Sequence, residues 1–346
     1  MDSFVFQRED FSLCVVPAPP LCPQSQTHSG VALYNGKYFL TTTPYPNKRY
    51  SRWQSYIRLA FRVMTRGILY KDAEIFENPC LYVGEAQGAA KVPPTSFKPL
   101  TPFPLMPNPK IDHCLSCFNS DPDIFVDNNH CYILNRTVCR TKKLEHGYDS
   151  VTKIFLIEGS LERGTYTLES IKQVKEWQQP FVSPCLTKYR GKYLFTYIDS
   201  NSANDAQTFR GLYVQQLDSI SELGTNNNYK KVSVEGSNIL PWHMSLFQHE
   251  GKLYSIIACV KPGDMTKKIW QMFGEFNNDL SVLKIYPKPL TEYNSYRGAA
   301  CVREDGMFIL YSTTVGENIS GANAVDGRNI IMAQMDFEKL KRELSR

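Results

Sequence analysis

The chain has 346 residues, 42% hydrophobic and 21% charged, which is enough apolar side chain for a sizeable core and excludes a globally disordered chain. Its net charge of +5 comes from scattered basic residues and short pairs such as Lys142-Lys143 and Lys230-Lys231. No long basic run interleaves with aromatics, so nucleic acid is not an expected partner, and no apolar window reaches the ~18 residues that a membrane helix needs.

The N-terminus, Met1-Asp2-Ser3-Phe4, carries no basic segment followed by an apolar stretch. A secretory signal is therefore not expected, synthesis in a cytoplasm is, and the thiols of the 10 Cys are expected to be reduced. Phe11–Pro17 reads as a short strand, placed to pair with the far end of the chain. Gly30–Thr43 is the first of five similar segments, each an apolar strand, a turn rich in Gly, Asn or Asp, and an aromatic-rich second strand. The others are Asp121–Asn135, Ser183–Tyr197, His243–Ala258 and Arg297–Ser312. Their turn pivots are Gly36, Asn129, Gly191, Gly251 and Gly306, residue types that tolerate positive φ and so close hairpins.

The last three intervals between pivots are close to one length, roughly 55–60 residues, and such a period predicts radial blades of about four antiparallel strands each. Third strands are expected at Lys153–Glu158, Gly211–Gln216, Ile269–Glu275 and Asn329–Phe337. The first interval is longer, which predicts an insertion from about residue 45 to 119. It holds an alternating stretch (Arg58–Met64), a second strand-like stretch (Asn78–Val83) and a Pro-rich loop (Pro93–Pro109). A loop of this length usually carries function or an interaction. The chain thus reads as an all-β, five-bladed β-propeller forming one domain over residues 1–346, with Phe11–Pro17 completing the last blade and a short helical or frayed tail at 338–346.

The repeat picks out equivalent positions near the propeller axis. Eight residues before each pivot stand His28, Asp121, Ser183 and His243, with Arg297 in the fifth unit, whose turn is one residue longer. Two residues further, where the side chain points the same way, stand Gly30, Asp123, Cys185, Ser245 and Ala299. Trp242 and Tyr296 flank the ring. Two histidines, an arginine and two carboxylates on one axis are costly unless paired or used. Either the ring is a site, or it is a self-satisfied polar plug with Asp121 paired to Arg297.

Ser120-Asp121-Pro122-Asp123, Ser183-Pro184 before Gly191-Lys192-Tyr193, and Trp242-His243-Met244 before Gly251-Lys252 resemble the blade starts of the five-bladed glycoside hydrolases of families 43 and 32. Thr27–Gly30 and Glu77-Asn78-Pro79 also resemble members of that superfamily from gut bacteria and their phages. The resemblance covers about residues 25–337. It implies a carboxylate on the first blade, an assisting Asp on a middle blade and a Glu acid on a later one. This chain has His28, Ser183 and His243 at the matching positions, and only Asp121 and Asp123 supply acids.

The resemblance and these departures imply a carbohydrate-recognising or structural propeller with a degenerate glycosidase-like site, built into a phage tail or similar assembly. A glycan and protein partners are then expected, and a virion released by lysis reaches the outside without a signal. The alternative is an active glycoside hydrolase that uses Asp121 or Asp123 with His243 or a loop carboxylate (Glu77, Glu85 or Asp199). His28, Ser183, Trp242, Tyr296 and Arg297 are the expected ligand contacts. The cluster His113-Cys114 with Cys117 lacks the second ligand pair that zinc requires. No cofactor is expected, apart from a calcium ion that Asp121 and Asp123 could hold.

Overall fold

The computed structural model describes residues 4–19, 22, 25–45, 60, 64, 77–89, 91–107, 116–143, 148–162, 165–178, 180–200, 206–236, 238–264, 268–317, 319 and 327–346. The two-residue strand β1 (Ser12–Leu13) comes first. β2 (Gln26–Tyr34), β3 (Lys37–Pro44), β4 (Cys80–Glu85) and β5 (Lys98–Pro99) form an antiparallel sheet. β6 (Ser116–Asp127), β7 (His130–Lys143), β8 (Tyr148–Glu162) and β9 (Thr165–Trp177) form a second. A third contains β10 (Phe181–Tyr189), β11 (Lys192–Ser200), β12 (Phe209–Leu217) and β13 (Lys230–Glu235). The fourth contains β14 (Leu240–His249), β15 (Lys252–Val260), β16 (Trp270–Phe276) and β17 (Val282–Ile285), and meets the third edge to edge through the parallel pairing of β13 with β17. β18 (Ser295–Val302), β19 (Met307–Thr314) and β20 (Ile330–Asp336) begin the fifth, which β1 completes, with Ser12 opposite Met332 and Leu13 opposite Ile331. A helix, α1 (Phe337–Leu344), follows.

The first strands of the five sheets lie side by side in the order β2, β6, β10, β14, β18 and back to β2, so the ring closes as a five-bladed β-propeller. Packing explains the closure. Each sheet is apolar on both faces, and five separate clusters fill the spaces between neighbouring blades. Leu194, Ile198 and Leu212 of the third blade meet Met244, Ile257 and Met272 of the fourth. Phe6 and α1, through Phe337 and Leu340, cover the space between the fourth and fifth. A strand buried on both faces loses the polar–apolar alternation of a surface sheet, so the repeat reads as apolar runs punctuated by turns.

All five predicted hairpins and all four predicted third strands are present. Four hairpins close with two-residue turns whose residues both have positive φ, as at Asn35 (48°) with Gly36 (72°). The fifth turn spans Arg303–Gly306, with Gly306 at φ 81°, which accounts for the one-residue offset of its repeat. The inserted region differs from expectation. Its residues 80–85 and 98–99 are the third and fourth strands of the first blade, so the extra length sits between β3 and β4 and between β5 and β6. Arg58–Met64 lies almost wholly outside the described residues, as do His113 and Cys114. Among the described residues no helix is long and apolar enough to cross a membrane.

Candidate functional site

Every inner strand carries a register break at its ring position: between Thr27 and Gly30, Ser120 and Asp123, Val182 and Cys185, Pro241 and His243, and Ser295 and Gly298. The bulge re-aims one side chain per blade toward the axis. In the first three blades the residue so placed adopts the left-handed region, with φ 58° at His28, 54° at Asp121 and 56° at Ser183. This conformation costs a residue other than glycine about 1 kcal/mol or more, and it persists only where the surroundings fix it. Three equivalent blades share it, which makes it a built feature of the ring.

Asp121 is the hub and is fully buried. Its Oδ1 lies 2.9 Å from His28 Nε2 and accepts the Ser120 hydroxyl at 3.0 Å. Its Oδ2 lies 3.1 Å from Arg136 Nη2, accepts the Ser183 amide at 3.0 Å and stands 3.6 Å from His243 Nδ1. Burial works to raise this carboxyl, but Arg136, His243 and His28 outweigh it and hold Asp121 well below the usual carboxylate range. On its other side His28 Nδ1 meets Thr43 Oγ1 at 2.8 Å. Burial pulls the His28 imidazole down to about 4 against the attraction of Asp121. It also pulls His243 well below the ordinary histidine value. Neither nitrogen of His243 has a hydrogen-bond partner.

Asp123 forms a second station one step along the axis. Arg297, fully buried, donates from Nη2 to Asp123 Oδ1 at 2.8 Å and from Nη1 to the Pro122 carbonyl at 2.9 Å. The Leu186 amide takes the other oxygen at 3.0 Å. Burial pushes Asp123 up to about 6 against the pull of Arg297. The pairing expected from the sequence is thus exchanged: Arg297 binds Asp123, and Asp121 is neutralised by Arg136. The reason is depth. Arg297 is long enough to reach the second layer, while Arg136 on β7 stands in register beside Ser120 and so next to Asp121.

His28, Ser183, His243 and Arg297 are all within the buried ring, at 2% exposure or less. Trp242 and Tyr296 form its aromatic edge. Tyr296 lies 4.4 Å, centroid to centroid, from His243 and 5.2 Å from His28, and Trp242 meets Tyr296 edge-on at 5.2 Å. The Arg328 guanidinium stacks over Tyr296 at 4.3 Å and over Tyr45 at 3.7 Å. Of the loop carboxylates, Glu85 pairs with Lys37 beside the hairpin turn, at the opposite end of β3 from Thr43, and is therefore remote from Asp121. Asp199 binds Arg210 at 2.7 Å, and Glu77 is buried just before β4. A cavity of about 1300 Å³ opens on that far face, among the turn ends of all five inner strands, and no ring residue lines it.

Sequence reasoning missed Arg136 and Thr43. Arg136 left a signal, the one charged residue in the stretch Cys131–Val138. Calcium takes roughly six to eight oxygen ligands. Here the oxygens of Asp121 and Asp123 are already shared among guanidinium, imidazole, hydroxyl and amide donors, a set that suits calcium poorly.

No protein-family model matches the chain, and no curated protein matches it. Solved structures do. A GH43_1 enzyme from Xanthomonas citri aligns over 92% of this chain and 90% of its own with a TM-score of 0.55 at 11% identity. The same enzyme complexed with xylotriose aligns over 94% and 89%, at 0.58 and 10%. The arabinanase of Bacillus subtilis aligns over 93% and 97%, at 0.52 and 10%. An α-L-arabinofuranosidase from Lactobacillus brevis aligns over 91% and 91%, at 0.55 and 12%. The chain therefore shares the propeller fold of these glycoside hydrolases over nearly its whole length.

Proposed function

We propose that this chain is a glycan-recognising propeller that keeps the glycoside-hydrolase architecture without a hydrolytic pair of acids on its axis. One observation carries the reading: every oxygen of Asp121 and Asp123 is engaged by a partner inside the protein, and both residues are buried. Hydrolysis needs one carboxyl that gives up a proton and a second carboxylate across the bond, about 5–9.5 Å away. Asp121 is held ionised, so it has no proton to give. Asp123 is tied to Arg297. At the positions where a second acid would oppose them stand His28, Ser183 and His243.

What remains for a sugar is the aromatic edge, Trp242 and Tyr296 with Tyr45 and Arg328. Aromatic faces carry apolar sugar faces. Pentose oligosaccharides are the first class to try, because xylotriose occupies one of the proteins of similar fold. The test incubates the protein with xylotriose and with arabino-oligosaccharides, follows heat of binding and sugar release together, and repeats both with Trp242→Ala. Binding that weakens at least tenfold in Trp242→Ala, with no sugar released, is the expected result. Sugar release by the wild type that disappears in Asp121→Asn would make the chain a hydrolase, with Glu77 and Asp199 the next acids to replace.

A further inference from the structure

We propose that His28, Asp121 and His243 together bind one divalent cation of the imidazole-accepting kind (zinc, cobalt or nickel), which clamps the first, second and fourth blades at the axis. Three observations converge. The ligand atoms of the three residues lie within 4.8 Å of one another, with none of the three side chains more than 3% exposed. His243 presents two buried ring nitrogens without a partner, and its Nδ1 is turned toward Asp121. His28 is already braced as metal ligands usually are: Nδ1 meets Thr43 Oγ1 at 2.8 Å, which fixes the ring with Nε2 facing Asp121 Oδ1 at 2.9 Å, where the ion would replace the contact between the two.

The spacing fits. Two ligands each about 2.0–2.1 Å from one ion stand ~2.9 Å apart at a right angle and ~3.4 Å apart at the tetrahedral angle. His28 Nε2 and Asp121 Oδ1 are 2.9 Å apart, and His243 Nδ1 and Asp121 Oδ2 are 3.6 Å apart. A small inward shift of the His243 ring completes the set. Two neutral imidazoles and one carboxylate favour first-row transition metals over calcium or magnesium. Arg136 and Arg297 oppose any added positive charge, which further disfavours a hard cation held by charge alone and leaves one bound through nitrogen. The ring is enclosed, so the ion enters as the chain folds.

The inference does not rest on the glycan reading, and a metal readout decides it alone. The full chain is unfolded with chelator, then refolded with and without Co²⁺, and again with Zn²⁺. Expected are one equivalent of bound metal per chain, visible Co²⁺ absorption, and a melting temperature several degrees above that of the metal-free protein. His243→Phe preserves the ring's packing against Tyr296 while removing both nitrogens, so it should fold and should lose the bound metal, the absorption and the shift. Absence of stoichiometric binding in the wild type overturns the proposal. So does binding that persists unchanged in a folded His243→Phe.

Discussion

Asp121→Asn removes one charge and almost no volume. The variant leaves the buried Arg136 guanidinium without its carboxylate, and stranding one partner of a buried pair costs about 3–5 kcal/mol. Arg136 keeps its bonds to the Phe181 carbonyl at 2.7 Å and to the Ser120 hydroxyl at 3.3 Å, which places the cost at the lower end, about 3 kcal/mol. Unfolding entropy near ~2.1 cal/mol/K per residue gives a chain of 346 residues ~0.7 kcal/mol/K, so the melting temperature should fall by about 4 °C. Scanning calorimetry of the metal-free protein measures this, with binding of xylotriose followed in parallel. The sugar affinity should stay within a factor of two, because Asp121 is fully buried. A variant that melts within 1 °C of the wild type, or that loses sugar affinity tenfold, would refute the view of Asp121 as the neutralised hub of a structural ring.

Four further outcomes follow from the same geometry. Arg297→Met alone strands Asp123 and should destabilise by about 3–5 kcal/mol, whereas adding Asp123→Leu should recover most of the loss, which denaturant titration of the double-mutant cycle would show. Phe6→Ala should cost about 3–5 kcal/mol in the same assay, since Phe6 is fully buried between the last two blades, and deleting residues 1–17 should expose the amides of β20 to hydrogen exchange. The pH dependence of the metal-free protein has opposing parts. His28 is at about 4 when folded and 6.5 when unfolded, and His243 is lowered likewise, so each contributes stability that is present above pH 6.5 and drains as pH falls. Asp123, at about 6 against 3.8, works in the other direction, because its penalty fades as pH falls from 6. Two histidines act against one carboxyl, so stability should fall as pH falls from 6 to 5, and His243→Phe should make that fall shallower in urea titrations at each pH.

The fold was legible because its cause is local. A two-residue turn with positive φ leaves a mark such as Asn35-Gly36 or Arg190-Gly191 whatever the rest of the chain does, and five such marks give the blades. The first blade was misread where that logic fails: β4 and β5 have no hairpin of the repeated kind, so residues 80–99 looked like insertion. The ring positions were legible through the same count, since equal distance from equal turns brings His28, Asp121, Ser183 and His243 to one axis, and Arg297 joins them once the extra residue of the fifth turn is counted. Who pairs with whom was not, because pairing depends on side-chain reach across blades. Arg297 passes over Asp121 to Asp123, and Arg136 comes from a second strand that no count of first strands includes. That exchange decides the chemistry. Had Asp121 faced only histidines, its oxygens would have been open to a substrate. With Arg136 behind it and the Ser183 amide on Oδ2, the carboxylate is spent on holding blades together. Among the ring's imidazoles and carboxylates, His243 alone has no hydrogen-bond partner to give up, and together with His28 and Asp121 it suits a metal ion rather than a sugar.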